Sequence, residues 1–364
     1  MSYIAWFVLI FTLLQFSVAF VNLLFLQRFP KSKKYSNQLV SVLIPARNEE
    51  KNIGNLLSCL QKQDYMNIEI IVFNDQSTDK TANIVKGFAE SDKRIKLINS
   101  EGLPDKWLGK NHACFSLAKH TTGKYLLFLD ADVKIGNNII QQTTHFTEKY
   151  KLGLLSVFPK QIMKTLGEEI TVPNMNYILL SLLPLILVRK INFSSIAAAN
   201  GQFMLFQSEI YHKFQPHEKM KTSKVEDIKI ARYLKKNKIK VACLTGNSSI
   251  TCHMYNGFSE AIYGFSKNVA QFFGGSFILA ILFWLVTSLG FIAVLFSFSI
   301  SLFLLYLSAV ILTRVFISVT SNQSVFRNLL LAVPQQITMG IFILQSIINT
   351  FKRQYTWKER NIYS

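Results

Sequence analysis

From Tyr3 to Leu26 the chain is uncharged and almost wholly apolar, and a helix of that length crosses the hydrocarbon core of a bilayer. Arg28, Lys31, Lys33 and Lys34 follow at once, which places the downstream chain on the cytoplasmic side by the positive-inside tendency. A cleaved leader would show a shorter apolar core, a basic residue ahead of it and a small-residue exit site. None is evident, so residues 1–27 are expected to form an uncleaved transmembrane anchor. The pattern then changes. Strand-length apolar runs at Leu39 to Pro45, Ile68 to Phe73, Ile95 to Ile98 and Tyr125 to Leu129 alternate with helix-period stretches from Glu50 to Gln63 and from Lys80 to about Glu90. Such alternation predicts an α/β domain with a mostly parallel sheet and covered faces. The run Tyr177 to Val188, interrupted by Pro184 and followed by Arg189-Lys190, is too short to cross a bilayer and reads as an interfacial helix near 175–190. Beyond Gly274 the chain is strongly apolar again, with candidate spans near 275–296, 299–319 and 328–350. Pro334, Gln335 and Gln336 make the last the weakest of the three, and a re-entrant segment fits it as well. Three spans would leave Lys352, Arg353, Lys358 and Arg360 outside, against the positive-inside tendency. The expected plan is an anchor (1–27), an α/β domain (38–265), C-terminal transmembrane helices (274–351) and a basic tail (352–364).

Ligands of parallel sheets bind outside the carboxyl ends of the strands. Glu49, Asp75, Asp130 and Asp132 all fall there. Tyr125-Leu126-Leu127-Phe128-Leu129-Asp130-Ala131-Asp132 runs an apolar strand into two carboxylates spaced i, i+2, an arrangement suited to a divalent metal carrying a phosphate. Alone, Asp-x-Asp also describes a plain strand-to-loop junction. Asp75 could equally serve a turn in Asp75-Gln76-Ser77-Thr78-Asp79, and Glu49 could be the first-turn acid of the following helix. Asp227 opens a helical pattern with Ile228, Ile230, Ala231 and Leu234, where an acid also serves as a cap. No glycine-rich phosphate loop is present, which excludes a dinucleotide fold and a P-loop enzyme. Cys59, Cys114, Cys243 and Cys252 lack paired spacing, so free thiols and no zinc site are expected. The 40 basic residues exceed the 21 acidic ones to give +19. The basic clusters flank apolar segments and carry no aromatic-interleaved or zinc-finger pattern, which points to anionic lipid headgroups and away from nucleic acid.

Ile44-Pro45-Ala46-Arg47-Asn48-Glu49-Glu50, Asn74-Asp75-Gln76-Ser77-Thr78-Asp79 and Asp130-Ala131-Asp132 resemble the nucleotide-sugar half of the family 2 glycosyltransferases, which have the GT-A fold. The resemblance continues through Trp107-Leu108-Gly109-Lys110-Asn111-His112-Ala113, Asn200-Gly201-Gln202-Phe203 and Val225-Glu226-Asp227-Ile228. It ends in Met254-Tyr255-Asn256-Gly257-Phe258 with Gly264-Phe265-Ser266-Lys267-Asn268. These later motifs are similar to the membrane-bound lipid-modifying branch, which includes the hopanoid-associated and diaponeurosporenoate glycosyltransferases.

The resemblance implies a nucleotide sugar, expected to be a UDP-sugar, lying on Ala46, Glu49, Asp75 and Lys110. It implies Asp130 at the ribose or behind the metal, Asp132 as the metal ligand, Gln202 in the donor site and Asp227 as the acid that removes the acceptor proton. Only oxygen ligands are offered, so the metal is expected to be Mg²⁺ or Mn²⁺. Trp107 is expected to pack as a lid and His112 to be an ordinary first-turn residue. The chain departs from the family in two places. Close relatives carry Arg before Met-Tyr where this chain has His253, and the region of the processive Gln-x-x-Arg-Trp motif reads Gly264-Phe265-Ser266-Lys267-Asn268. Lys267 is expected to supply the permanent positive charge at the diphosphate, beside a weaker or pH-dependent contact from His253. The expected protein is a multi-pass cell-membrane enzyme with a cytoplasmic catalytic domain, moving a sugar with inversion onto a lipid. A base at Asp227 points to a hydroxyl acceptor, because a carboxylic acid is already ionised at neutral pH. A processive polysaccharide synthase and a non-catalytic lipid-binding scaffold are the alternatives.

Overall fold

The computed structural model describes residues 2–29, 36–352, 356–357 and 360–361. Lys31, Lys33 and Lys34 of the basic flank, and Arg353 and Lys358 of the tail, lie outside the described residues.

Ten strands follow one another before the C-terminal helices: β1 Val40–Ala46, β2 Ile68–Asn74, β3 Ile95–Asn99, β4 Tyr125–Leu129, β5 Val133–Ile135, β6 Leu154–Phe158, β7 Lys160–Gln161, β8 Phe203–Gln207, β9 Val241–Thr245 and β10 Ile250–Cys252. Seven form the main sheet in the order β3-β2-β1-β4-β8-β6-β9. The strands recognised from their apolar runs are all parallel. β8 is antiparallel to both β4 and β6, and β6 and β9 pair in parallel. β1, β2 and β4 are buried throughout or nearly so, as strands covered on both faces must be. The helices expected after β1 and β2 are present at Ile53–Gln61 and Thr81–Ser91. The register aligns Ala46 with Asn74 and Asn74 with Asn99, so the loops leaving β1 and β2 emerge side by side. A second sheet, β5-β10-β7, closes over the chain just after Asp132.

Among the described residues, three helices are long and apolar enough to cross a membrane: Ser2–Leu24, Phe277–Ser297 and Ile300–Thr320. Phe11 packs on Phe283 with ring centroids 6.1 Å apart, and Phe16 on Phe316 at 5.6 Å. Gly290 admits Val8 so closely that an added Cβ would meet its Cγ1 at 2.6 Å. Arg28, just past the first helix, donates to the carbonyl of Val319 at 2.9 Å, which sets the ends Leu24 and Thr320 side by side.

The segment near 175–190 is divided between the helices Pro173–Leu182 and Leu185–Lys190, which follow a short helix, Leu166–Thr171. Pro184 breaks the helical bonding and frees backbone groups. Asn22 of the first helix takes them up, donating to Leu180 O at 3.0 Å and Leu183 O at 2.9 Å and accepting from Leu185 N at 2.7 Å. Gln15 adds a bond to Ser181 Oγ at 3.1 Å. The stretch expected near 328–350 is a short helix, Val325–Leu330, followed by Ala332–Phe351, which buries Gln335, Gln336, Thr338, Ser346 and Asn349.

Candidate active site

The loops after β1 and β2 are knitted into one surface. Asp75 N donates to Ala46 O at 2.8 Å, and Arg47 Nη1 donates to Asp75 O at 2.7 Å and Gln76 O at 3.2 Å. Asn48 and Gln76 hold left-handed backbones, φ 51° and 55°, which the tight reversal of each loop demands. Asn48 Oδ1 accepts from Thr78 N at 2.9 Å. Asp75 is held nearly out of solvent at this strand end. Glu49 takes the helix-start role as well: its carbonyl accepts from Asn52 N and Ile53 N, and its carboxylate from Asn52 Nδ2 at 2.9 Å.

Lys110, in the first turn of the helix Gly109–Ala118, is the hub of the second half of the site. Its ammonium lies 2.7 Å from both oxygens of Asp130, 3.3 Å from Gly201 O and 3.7 Å from Glu226 Oε1. Burial lowers its pKa, but Asp130 and Glu226 outweigh burial and hold the ammonium well above its ordinary pKa. Gly201 makes the convergence possible. A Cβ there would lie 3.1 Å from Lys110 Nζ and 3.2 Å from Glu226 Oε1.

Asp132 is pushed up to about 7, first by burial and then by Asp130, with Glu49 adding to the effect; a hydrogen bond from Cys252 and the charge of Lys110 oppose it. Its Oδ1 is buried without a hydrogen-bond partner among the described residues. A buried carboxylate oxygen left unmatched costs free energy unless a cation or donor completes it. The fit to a hard divalent cation is therefore good on chemistry: an oxygen donor, negative neighbours in Asp130 and Glu49, and a charge deficit. No group of three or more His, Cys, Asp or Glu among the described residues forms a closed metal cage. Such a cation would take its remaining ligands from substrate and water.

Asp227 accepts from Gly201 N at 3.0 Å through Oδ2 and from Ile228 N at 2.7 Å through Oδ1. Burial raises its pKa, against the two backbone bonds and Lys110. A carboxylate anchored by backbone donors and lifted by burial has both the fixed position and the basicity that proton removal requires.

The other expected site residues make the following contacts. Gln202 spans the two sheets, donating to Cys252 Sγ at 2.9 Å and accepting from Gln161 at 3.3 Å, a bracing role behind Asp132. Lys267 is held below the ordinary lysine range. Burial and then the neighbouring Lys224 push it down to about 8, with Glu260 opposing, and it lies 4.3 Å from the Tyr263 ring centroid. His253 Nε2 is 3.1 Å from Glu168 Oε2. Glu168 also accepts from Lys164 N at 2.6 Å, Thr165 Oγ1 at 3.0 Å and Gly257 N at 2.9 Å, so it ties the His253–Gly257 turn to the segment before the Leu166–Thr171 helix. Trp107 packs over His112 at 5.6 Å and Phe115 at 5.0 Å between ring centroids, and His112 meets Phe73 at 6.0 Å.

The structure adds two residues that sequence reasoning assigned no part. Glu226 is pushed up to about 7 by burial, with Lys110 opposing and Asp227 reinforcing; the adjacent acids Glu226-Asp227 were the available signal. Asn111 Nδ2 lies 2.7 Å from Met220 O, 3.3 Å from Lys221 O and 3.0 Å from Ser223 O, and so fixes the turn that leads into Glu226 and Asp227. No single-sequence signal marks it.

Residues 41–175 match the sequence model of Glycosyl transferase family 2. Over 263 residues, 68% of this chain and 66% of the relative, the sequence is 28% identical to a 4,4'-diaponeurosporenoate glycosyltransferase of Staphylococcus haemolyticus, so the matched part is just under two thirds of that protein. The protein of the same name from Staphylococcus aureus is 28% identical over 275 residues, 71% of this chain and 69% of the relative. A mannosyltransferase from Pyrobaculum calidifontis, solved in complex with GDP-Man and Mn²⁺, matches with a TM-score of 0.53 over 94% of this chain and 99% of that one, at 16% identity. At that identity the likeness is one of fold.

Proposed function

We propose that this chain is a family 2 glycosyltransferase of GT-A fold that moves a sugar, with inversion, from a nucleotide sugar to a lipid acceptor at the cytoplasmic face of a membrane. The observation that carries the reading is the rim formed by Asp75, Lys110, Asp130, Asp132 and Asp227, with the unmatched buried oxygen on Asp132. Ala46, Glu49 and Asp75 bind the nucleoside, and Lys110 holds Asp130 beside the ribose. Asp132 holds Mg²⁺ or Mn²⁺, which when bound neutralises charge on the departing diphosphate. Asp227 takes the acceptor's hydroxyl proton as that oxygen bonds to the anomeric carbon. The bond to the diphosphate breaks on the opposite face and the nucleoside diphosphate leaves. The three apolar helices support a membrane-bound enzyme with access to a lipid acceptor, and the relatives are named for 4,4'-diaponeurosporenoate. Metal-dependent release of nucleoside diphosphate by the detergent-purified chain, stimulated by total lipid extract, is the direct test. A protein that binds lipid but releases no nucleotide would be a scaffold.

Topology gives an independent check. The basic residues after the first helix support a cytoplasmic side for residues 40–265. A Ser91→Cys reporter, on the exposed end of the Thr81–Ser91 helix, is expected to resist an impermeant maleimide on intact cells and to react once they are permeabilised. Labelling from outside would reverse the orientation.

The pKa of Lys267 gives a second. If this lysine meets the diphosphate, donor binding must recharge it once the free enzyme passes about 8. The KM for the nucleotide sugar is then expected to rise above that pH by up to about tenfold per unit. Lys267→Arg keeps its charge at every working pH and should flatten the rise. A KM profile identical in wild type and Lys267→Arg removes Lys267 from the donor site.

A further inference from the structure

Val325–Leu330 and Ala332–Phe351 together are long enough to cross a bilayer, at roughly 40 Å, yet their two faces are unlike those of the three apolar helices. Phe326, Leu330, Val333, Ile337, Leu344 and Phe351 recur at helical spacing along one face, each more than half exposed. The other face is engaged from end to end, with Gln335, Gln336, Thr338, Ser346 and Asn349 on either side of buried Met339, Phe342 and Ile343. Gln335 accepts from Arg314 Nη1 at 3.0 Å and donates to Glu169 O at 3.0 Å. Asn174 donates to Gln335 O at 2.9 Å, and Trp284 to Gln336 O at 2.8 Å. Near the far end, Phe342 packs on Phe265 at 5.8 Å and Asn349 donates to Ser266 at 3.4 Å.

These contacts decide the direction of the helix. Phe277–Ser297 touches the catalytic part near its start, where Phe283 meets Tyr177 and Phe273, and by its far end it meets the N-terminal helix, with Trp6 against Phe298. The C-terminal helix touches catalytic-domain segments at both ends, Glu169 and Asn174 near residue 335 and Ser266 near residue 349. A helix rising through the bilayer would leave those segments behind. Its start is held beside the end of the third apolar helix, where Asn328 donates to Ser318 Oγ at 2.9 Å, next to the Val319 carbonyl that accepts from Arg28.

We infer that residues 325–351 lie in the plane of the cytoplasmic leaflet, with the Phe326–Phe351 stripe set among the lipid chains and the opposite face holding the segments around Glu168 and Phe258–Ser266 at headgroup depth. The occupant of the stripe is lipid, because the stripe continues the exposed apolar surface of the three spanning helices, and exposed Arg327 and Lys352 flank it at headgroup level. This placement returns the basic tail to the cytoplasm and removes the conflict that a fourth crossing would create. The inference rests on the membrane reading proposed above.

The test uses the full chain in vesicles of phosphatidylglycerol and phosphatidylethanolamine, with Cys59→Ser removing the one thiol that is not buried. A fluorescent maleimide on Val333→Cys, Ile341→Cys or Phe351→Cys is read with nitroxides placed on the lipid near the headgroup or near the chain end. Ile311→Cys, midway along the third apolar helix, is the reference. All three C-terminal positions are expected to be quenched best by the shallow nitroxide, and Ile311 by the deep one. Deep quenching at Ile341 with shallow quenching at Val333 and Phe351 would make the segment a span and overturn the inference. Quenching at Ile311 with none at the other three would show that the stripe faces water or protein and overturn it equally. An unquenched Ile311 would overturn the membrane reading itself, and this inference with it.

Discussion

Asp132→Asn is expected to abolish sugar transfer at any concentration of Mg²⁺ or Mn²⁺ while leaving the fold intact or more stable. In the metal-free protein the Asp132 charge is a burden: burial, Asp130 and Glu49 push its pKa up to about 7. An acid whose folded pKa is raised favours the protonated fold, so its contribution is present at low pH and is lost as pH rises through the folded value. Above about 7 the ionised carboxylate therefore destabilises the metal-free protein, and a neutral amide removes that effect. Without added metal, Asp132→Asn should melt no lower than wild type at pH above that value. With Mn²⁺ added, wild type should gain melting temperature and the variant should not, since a ligand that binds only the folded state stabilises it by mass action. For activity, losing the charge that holds a cation against the leaving diphosphate removes several kcal/mol of transition-state stabilisation, a loss on the order of 10³-fold or more. Near-normal turnover of Asp132→Asn, together with a wild type that chelator fails to inhibit, would refute the metal assignment.

The parallel half of the fold was legible because its physics is local. β1, β2 and β4 are buried on both faces and so read as unbroken apolar runs, and the helices between them keep their period. The antiparallel insertion of β8 was not legible as such: Phe203–Gln207 is one more short apolar run, and strand direction comes from the path of the chain. The same divide runs through the site. Asp75, Asp130, Asp132 and Asp227 stood out as acids at strand or helix ends. Lys110 was placed by resemblance, but its simultaneous grip on Asp130 and Glu226 is a tertiary fact. Lys267 shows what composition hides, since a lysine reads as a fixed charge until burial and Lys224 lower its pKa. The C-terminal segment shows the same for hydropathy. Its glutamines looked like flaws in a span, yet Gln335 bonds Glu169 and Asn174, on the same face from which Asn349 bonds Ser266.

Asp227→Asn separates two kinds of acceptor. A hydroxyl must lose its proton as the glycosidic bond forms, and Asp227, fixed by Gly201 N and Ile228 N and raised by burial, is placed to take it. The variant should then lose roughly 10²-fold or more in kcat, the usual scale for a general base, with the KM for the nucleotide sugar nearly unchanged. The acid limb of the wild-type pH–rate profile should sit above the ordinary aspartate range, because the base works only when ionised and burial shifts that point upward, and it should vanish in the variant. A carboxylate acceptor behaves otherwise. With a pKa of about 4 to 5 by analogy with side-chain carboxyls, it arrives ionised, needs no base, and is repelled by a second carboxylate. The relatives matched here are named for such an acceptor, so this outcome has a concrete form. An Asp227→Asn variant that keeps the wild-type melting temperature and glycosylates its native lipid within a few-fold of wild type, with an unchanged acid limb, would replace the hydroxyl reading with an ester-forming one. Asp227 would then be a residue that positions Gly201 beside Lys110.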